Sequence, residues 1–123
     1  MTPLQKRLAI AKAHGWSELT VLESKSAGGL EDVLGINLNY DAGGFLCEVP
    51  DYLNDLNEVA KVRADLLTTL PYQSAYCIFL SRVCGADLSS SSTGLSRAEK
   101  WWKLADASAE QHIEAILLTL NIP

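Results

Sequence analysis

Nucleophilic catalysis by serine or cysteine needs a histidine held beside the nucleophile. This chain has two histidines, His14 and His112, and neither lies in a motif. His14 falls in the last turn of a first helix, where a partly positive imidazole suits the carbonyl end of the helix dipole, and its expected role is structural. His112 falls early in a last helix among charged neighbours and reads as a surface residue. The three cysteines, Cys47, Cys77 and Cys84, have no CxxC spacing. Zinc wants about four ligands with a short-spaced pair; Cys77 and Cys84 are two helical turns apart, too far to hold one ion. They read as small core hydrophobes. The glycine pairs at 28–29 and 43–44 fit neither GxxxxGK[ST] nor GxGxxG. The carboxylate pairs Asp51 with Asp55 and Glu31 with Asp32 could do acid–base work, but nothing around them suggests a pocket, and a solvated face explains them. The sequence therefore names no reaction, no cofactor and no metal, and it leans away from an enzyme.

Two features survive this test. In "VPDYLNDLNEVAKVR", residues 49–63, a proline ends an extended segment and a helix begins. Asp51 is the expected cap of that helix, and Asp55 adds favourable charge near its N-terminus. Tyr52, Asn54 and Asn57 are more than a cap requires; with Asp55 they form a polar cluster that either braces the fold or meets a ligand or partner, and the reading leans toward bracing. The second feature is Trp101 with Trp102. Adjacent residues diverge by about 100° on a helix, so either one indole faces solvent beside Lys100 and Lys103, as interface anchors do, or a wide apolar stripe of Ala98, Trp101, Trp102 and Ala105 is turned inward and holds both in the core, which is the favoured reading.

These residues must be positioned by a chain of 123 residues, a length that suits one domain burying roughly two thirds of its unfolded surface. Hydrophobic residues at 48% and charged residues at 20% describe a globular composition. A formal net charge of -5 repels phosphate backbones and anionic lipid, so neither nucleic acid nor membrane is an expected partner. An odd number of cysteines argues for free thiols in a reducing compartment. With no signal sequence and no run of ~18 apolar residues, a cytoplasmic location is expected.

The expected elements follow from caps and periodicity. Thr2, Pro3 and Gln5 open a helix over 3–14 that stops at Gly15, with Trp16 folding back on its last turn. Residues 19–22 read as loop or edge. Residues 34–49 read as an antiparallel β-hairpin, with Leu34, Ile36, Leu38 and Tyr40 on the inner face, followed by Phe45, Cys47 and Val49. A second helix over 52–69 carries a stripe of Leu56, Val59, Ala60, Leu66, Leu67 and Leu70, interrupted by Arg63. A third runs from Pro71 to Gly85 with Tyr72, Ala75, Tyr76, Phe79, Leu80 and Val83 inward. A serine-rich loop at 86–95 precedes a short helix over 96–105, with a strand at "KWWKLA" as the alternative. A last helix, capped by Ser108 with Gln111, ends near Asn121. The class is α+β, helix-rich with a short antiparallel hairpin.

Three segments, "IAKAHGW", "VPDYLNDLNEV" and "ADASAEQHIEAILLTLNI", together resemble the phage ABA sandwich domain family of small proteins from phages and prophages. The chain departs from that pattern at Glu58, Val59 and Ala60, where methionine, histidine and glutamate are usual, and at His112, where arginine is usual. The resemblance implies an α/β/α layered sandwich, a phage or prophage origin and no established activity. The leading expectation is thus a small protein that works by binding a host or phage protein, with modulation of host or anti-defence function as its specific version. The alternative is a small-molecule or nucleotide-ligand binder, or an enzyme, with a polar site at the start of the helix after Pro50. A homo-oligomer is a third outcome.

Overall fold

Helix α1 (Pro3–Ala13) is set by its first residues. The Thr2 hydroxyl accepts from the Gln5 backbone N–H at 3.2 Å, and the Gln5 side-chain Oε1 accepts from the Thr2 backbone N–H at 2.8 Å. Both bonds of the expected capping box are present. The computed structural model describes residues 2–22, 32–86 and 96–122; the expected serine-rich loop falls almost wholly outside them. At the other end of α1, Gly15 takes φ +94°, a conformation open to glycine. The Trp16 amide can then bond the Ala11 carbonyl at 3.0 Å, and the indole is carried into the core.

The sheet is an antiparallel meander of β1 (Ser17–Leu22), β2 (Asp32–Ile36) and β3 (Cys47–Glu48), in that order. Leu34 faces Glu48 and Gly35 faces Cys47, so the hairpin is formed, and β1 and β3 are the two edge strands. Glu18, at φ +52°, lies where the β1–β2 register shifts, as at a bulge. On β2 the inner face is the opposite of the expected one, whereas beyond β3 Val49 is buried as expected. Val33, Gly35 and Asn37 are buried, whereas Leu38 is 66% and Phe45 72% exposed. Gly35 explains the inversion: a Cβ there would stand 3.0 Å from Trp16 Cε3, 2.9 Å from Leu19 Cδ2 and 3.1 Å from the Ser17 carbonyl oxygen. The indole and the leucine occupy the space a side chain would need. Beyond Ile36 the strand gives way to a turn in which the Asn37 side-chain Oδ1 accepts from the Asn39 backbone N–H at 3.0 Å.

Helix α2 (Leu56–Leu66) starts four residues later than the periodicity predicts. Its N-cap is Asp55, whose carboxylate accepts from the Asn57 amide at 2.9 Å, not Asp51. The buried stripe shifts with it to Val59 and Val62, leaving Leu56 exposed. Helix α3 (Leu70–Val83) buries Tyr76, Leu80 and Ser81 and leaves Leu70 and Tyr72 exposed. The segment at "KWWKLA" is helical: α4 (Arg97–Ala105) carries a capping box of Ser96 and Glu99. Helix α5 (Ala109–Thr119), capped by Ser108 with Gln111, buries Ala109, Ile113, Ala115, Ile116 and Leu117. So wide an apolar face belongs to a central helix. It packs against α3, α1 and α2, and Lys6 of α1 reaches Glu110 at 3.1 Å and Glu114 at 3.7 Å.

The described residues thus form a small α+β domain of five helices and one three-stranded antiparallel sheet. Among them, no helix is long and apolar enough to cross a membrane, and every buried side-chain nitrogen and oxygen has a hydrogen-bond partner. Gly35→Ala forces a methyl against Trp16, Leu19 and a backbone oxygen. It should cost about 1–3 kcal/mol, the usual range for overpacking, in urea unfolding; an unchanged midpoint would show that the indole and leucine move aside freely.

Candidate functional site

Helix α4 is held by the face that the hydrophobic pattern would turn outward. Lys100 is buried and Leu104 half-buried, one turn apart on the docked side, and Ala107 is buried just beyond the helix. Helix α3 is the neighbour. The expected inner stripe, Ala98, Trp101, Trp102 and Ala105, lies in solvent. Its i, i+3, i+4, i+7 spacing puts these residues on one side of the helix. Trp101 is 55% and Trp102 77% exposed, so both indoles, not one, face water. A shallow, mostly apolar groove lined by Ala98, Glu99, Trp102 and Lys103 runs along this side. Chemically it offers aromatic surface with an ammonium and a carboxylate at its margin, which suits recognition and no reaction.

The second sequence candidate, the junction after Pro50, turns inward. Arg7 holds the entering chain, donating to the Val49 carbonyl at 2.6 Å and the Pro50 carbonyl at 3.3 Å. Residues 52–54 then form a turn that drives Tyr52 into the core, where it is fully buried. The Trp16 indole N–H donates to the Tyr52 hydroxyl oxygen at 2.9 Å, and that hydroxyl lies 2.9 Å from His14 Nδ1. His14 Nε2 is 2.6 Å from Asp65 Oδ2. An indole N–H can only donate. One assignment then satisfies all four groups: Trp16 donates to Tyr52, Tyr52 to His14 Nδ1, and His14 Nε2–H to Asp65. Burial pushes the Tyr52 phenol up, which keeps it a donor.

The order of groups is that of an Asp–His–hydroxyl relay, yet the terminal oxygen belongs to a side chain with no exposed surface. A nucleophile must meet its substrate, so this network braces the fold. Tyr40 closes over it. Its ring centroid is 5.0 Å from that of Trp16, and its hydroxyl donates to Glu58 at 3.0 Å. Burial, then the neighbouring Tyr52 and Glu58, push the Tyr40 phenol far above its ordinary value. Lys61 completes the cover, 3.0 Å from Glu58 and 5.8 Å from the centre of the Tyr40 ring.

The rest of the polar cluster is occupied locally. Asn54 Nδ2 donates to Asp51 Oδ2 at 2.9 Å, Asp55 caps α2, and Asn57 is exposed with its amide on Asp55. None of the four residues Tyr52, Asn54, Asp55 and Asn57 borders the grooves described on α4 or between α2 and α3.

A second histidine network was hidden from the sequence. His112 is half-buried, not a surface residue, and its Nδ1 is hydrogen-bonded to the Tyr76 hydroxyl. Burial first, and Arg63 second, lower the His112 pKa below its ordinary value. The imidazole is therefore neutral at neutral pH, with one ring nitrogen left to accept a hydrogen bond. Arg63 lies 5.9 Å from the centre of the Tyr76 ring. The two partners come from α3 and α5, so no local pattern could announce them. The cysteines are free, with Cys77 exposed rather than buried. No cluster of metal-ligating side chains occurs among the described residues.

No family model matches the chain, and no curated protein or solved structure matches it.

Tyr52→Phe leaves the Trp16 N–H and His14 Nδ1 without their shared partner, and should cost about 2–3 kcal/mol in urea unfolding. A change below about 0.5 kcal/mol would mean the network does not brace the fold. For His112, a folded-state pKa below the unfolded value of about 6.5 means that the unfolded chain takes up the proton more readily. Stability should thus be full above that pH and fall as the pH drops through it. Comparing wild type with His112→Gln by denaturant titration between about pH 7 and pH 5, with His14 common to both, should show a shallower decline in the variant. Parallel curves would contradict the assignment.

Proposed function

We propose that this protein acts by binding another protein through the exposed face of α4, with no chemistry of its own. The observation that carries this reading is the stripe of Ala98, Trp101, Trp102 and Ala105 turned to solvent on a helix whose opposite side is docked. At about 150–250 Å² per tryptophan, the exposed parts of Trp101 and Trp102 amount to roughly 250 Å². At ~25 cal/mol per Å² that represents roughly 6 kcal/mol of transfer free energy before the costs of association. It is about a third of one side of a standard interface, so the indoles would be its anchors, ringed by polar contacts including Lys103.

The resemblance to the phage ABA sandwich family supports a phage or prophage setting, with a host or phage protein as the partner and the bacterial cytoplasm as the place of action. The net charge of -5 supports a protein partner over nucleic acid or anionic lipid. The alternative, a ligand or nucleotide site at the start of α2, loses its motive because Asn54 and Asp55 are engaged in turn and cap bonds.

The test is the double variant Trp101→Ala/Trp102→Ala. Removing exposed side chains should leave folding stability within about 0.5 kcal/mol. A partner recovered on the tagged wild type from bacterial lysate, identified and purified, should bind wild type and lose at least ~10-fold in affinity to the variant. Equal binding to both proteins, or repeated recovery of nothing, would overturn the proposal. Light scattering that showed a wild-type dimer dissolved by the same substitutions would replace the partner with a second copy of the chain.

A further inference from the structure

Helices α2 and α3 are joined by only residues 67–69, and a shallow, open groove of about 590 Å³ lies between them, a volume within the ~300–1,000 Å³ typical of small-ligand sites. Leu67 and Tyr76, both buried, form its base, and Ala60 and Ala64, one turn apart on α2, keep one wall low. Arg63 lies between those alanines in sequence and lines the same groove. Its guanidinium is held over the Tyr76 ring at 5.9 Å.

Arg63 differs in its charge balance from several of the chain's other cations. Lys6 pairs with Glu110 and Glu114, Lys61 with Glu58, and Arg7 is bonded to two backbone carbonyls. Among the described residues Arg63 has no carboxylate within salt-bridge distance. In a chain of net charge -5, a cation fixed by an aromatic ring and left without an anion is the place where an anion is wanted. Its field is felt across the site, since it helps to keep the half-buried His112 neutral.

We propose that the groove between α2 and α3 binds a small organic monocarboxylate, whose carboxylate pairs with the Arg63 guanidinium and whose apolar body lies on Ala60, Ala64 and Leu67. A planar carboxylate matches the guanidinium fork two oxygens to two N–H groups. A phosphate dianion fits less well, because one arginine is the groove's only cation among the described residues. The site is independent of the α4 surface and of any partner bound there.

Benzoate, hexanoate and the neutral isostere benzamide distinguish the possibilities on the intact protein, read by amide chemical shifts in solution NMR. Benzoate and hexanoate should produce saturable shifts confined to residues 60–68 and 73–77. Benzamide should bind at least ~10-fold more weakly, the size of a lost charge-assisted hydrogen bond. Arg63→Gln should weaken benzoate by a similar factor, and Ala64→Leu, which keeps the charge and fills the groove, should do the same. Equal binding of benzoate and benzamide would reduce the site to an apolar surface and overturn the proposal. So would shifts that map elsewhere, insensitivity to both substitutions, or no shifts with either carboxylate.

Discussion

The hydroxyl of Tyr52 has no water within reach, so its hydrogen bonds must be made inside the protein, and both partners come from the segment where α1 ends. That requirement fixes more than one side chain. Trp16 must enter the core at an angle that brings its indole N–H to Tyr52, and its ring then covers β2 at Gly35, where no side chain could fit. His14 must present Nδ1 to the same hydroxyl, which directs Nε2 to Asp65 on α2. Asn37 Nδ2 donates to the His14 carbonyl at 3.1 Å, tying the end of β2 to the same point. One buried oxygen thus coordinates α1, the sheet and α2, and an error in any of the three would leave a buried polar group unpaired, at a cost of about 1–3 kcal/mol each.

This constraint also accounts for what could be read from the sequence and what could not. The capping boxes at Thr2, Ser96 and Ser108 were legible because each is complete within four residues; so were the stops at Gly15 and Gly85, which need only a backbone in the left-handed region. The start of α2 was not. Asp51 and Asp55 are both competent caps, and local chemistry does not rank them. The choice falls to Asp55 because residues 52–54 must turn to bring Tyr52 inward, so a tertiary demand shortens the helix. The face of β2 was misread for the same reason. A glycine counts as neutral in an alternating pattern, yet Gly35 marks the inner face because a larger residue from β1 fills the space beside it.

The candidate site shows the same division. Tyr52 was singled out as exceeding what a cap requires, and its burial beneath Tyr40 gives the physical reason. The tryptophans were identified by type and spacing alone. Their orientation could not be, since an apolar stripe at helical spacing is the ordinary signal of a buried face and here that face is open. Arg63 appeared only as an interruption in the α2 stripe; its contact with Tyr76 and the pairing of Tyr76 with His112 join residues on three helices. Long-range polar pairing of this kind leaves no periodic trace.

The inverted α4 is better understood as a separation of tasks than as a packing fault. The helix is secured by its capping box, by Leu104 and Lys100 on the docked side, and by the buried Ala107 beyond it. None of these groups depends on an indole. The core cluster, for its part, is completed by α1, α2, α3 and α5 and by the sheet, and draws on α4 only at its margin through Leu104. Trp101 and Trp102 therefore lie outside the core cluster. Two large aromatic side chains left largely in water on one turn increase the apolar surface available for unwanted association. A partner of the kind proposed would remove that penalty and gain the burial, whereas the polar junction after Pro50, whose Asn54 and Asp55 are engaged locally, offers no comparable gain.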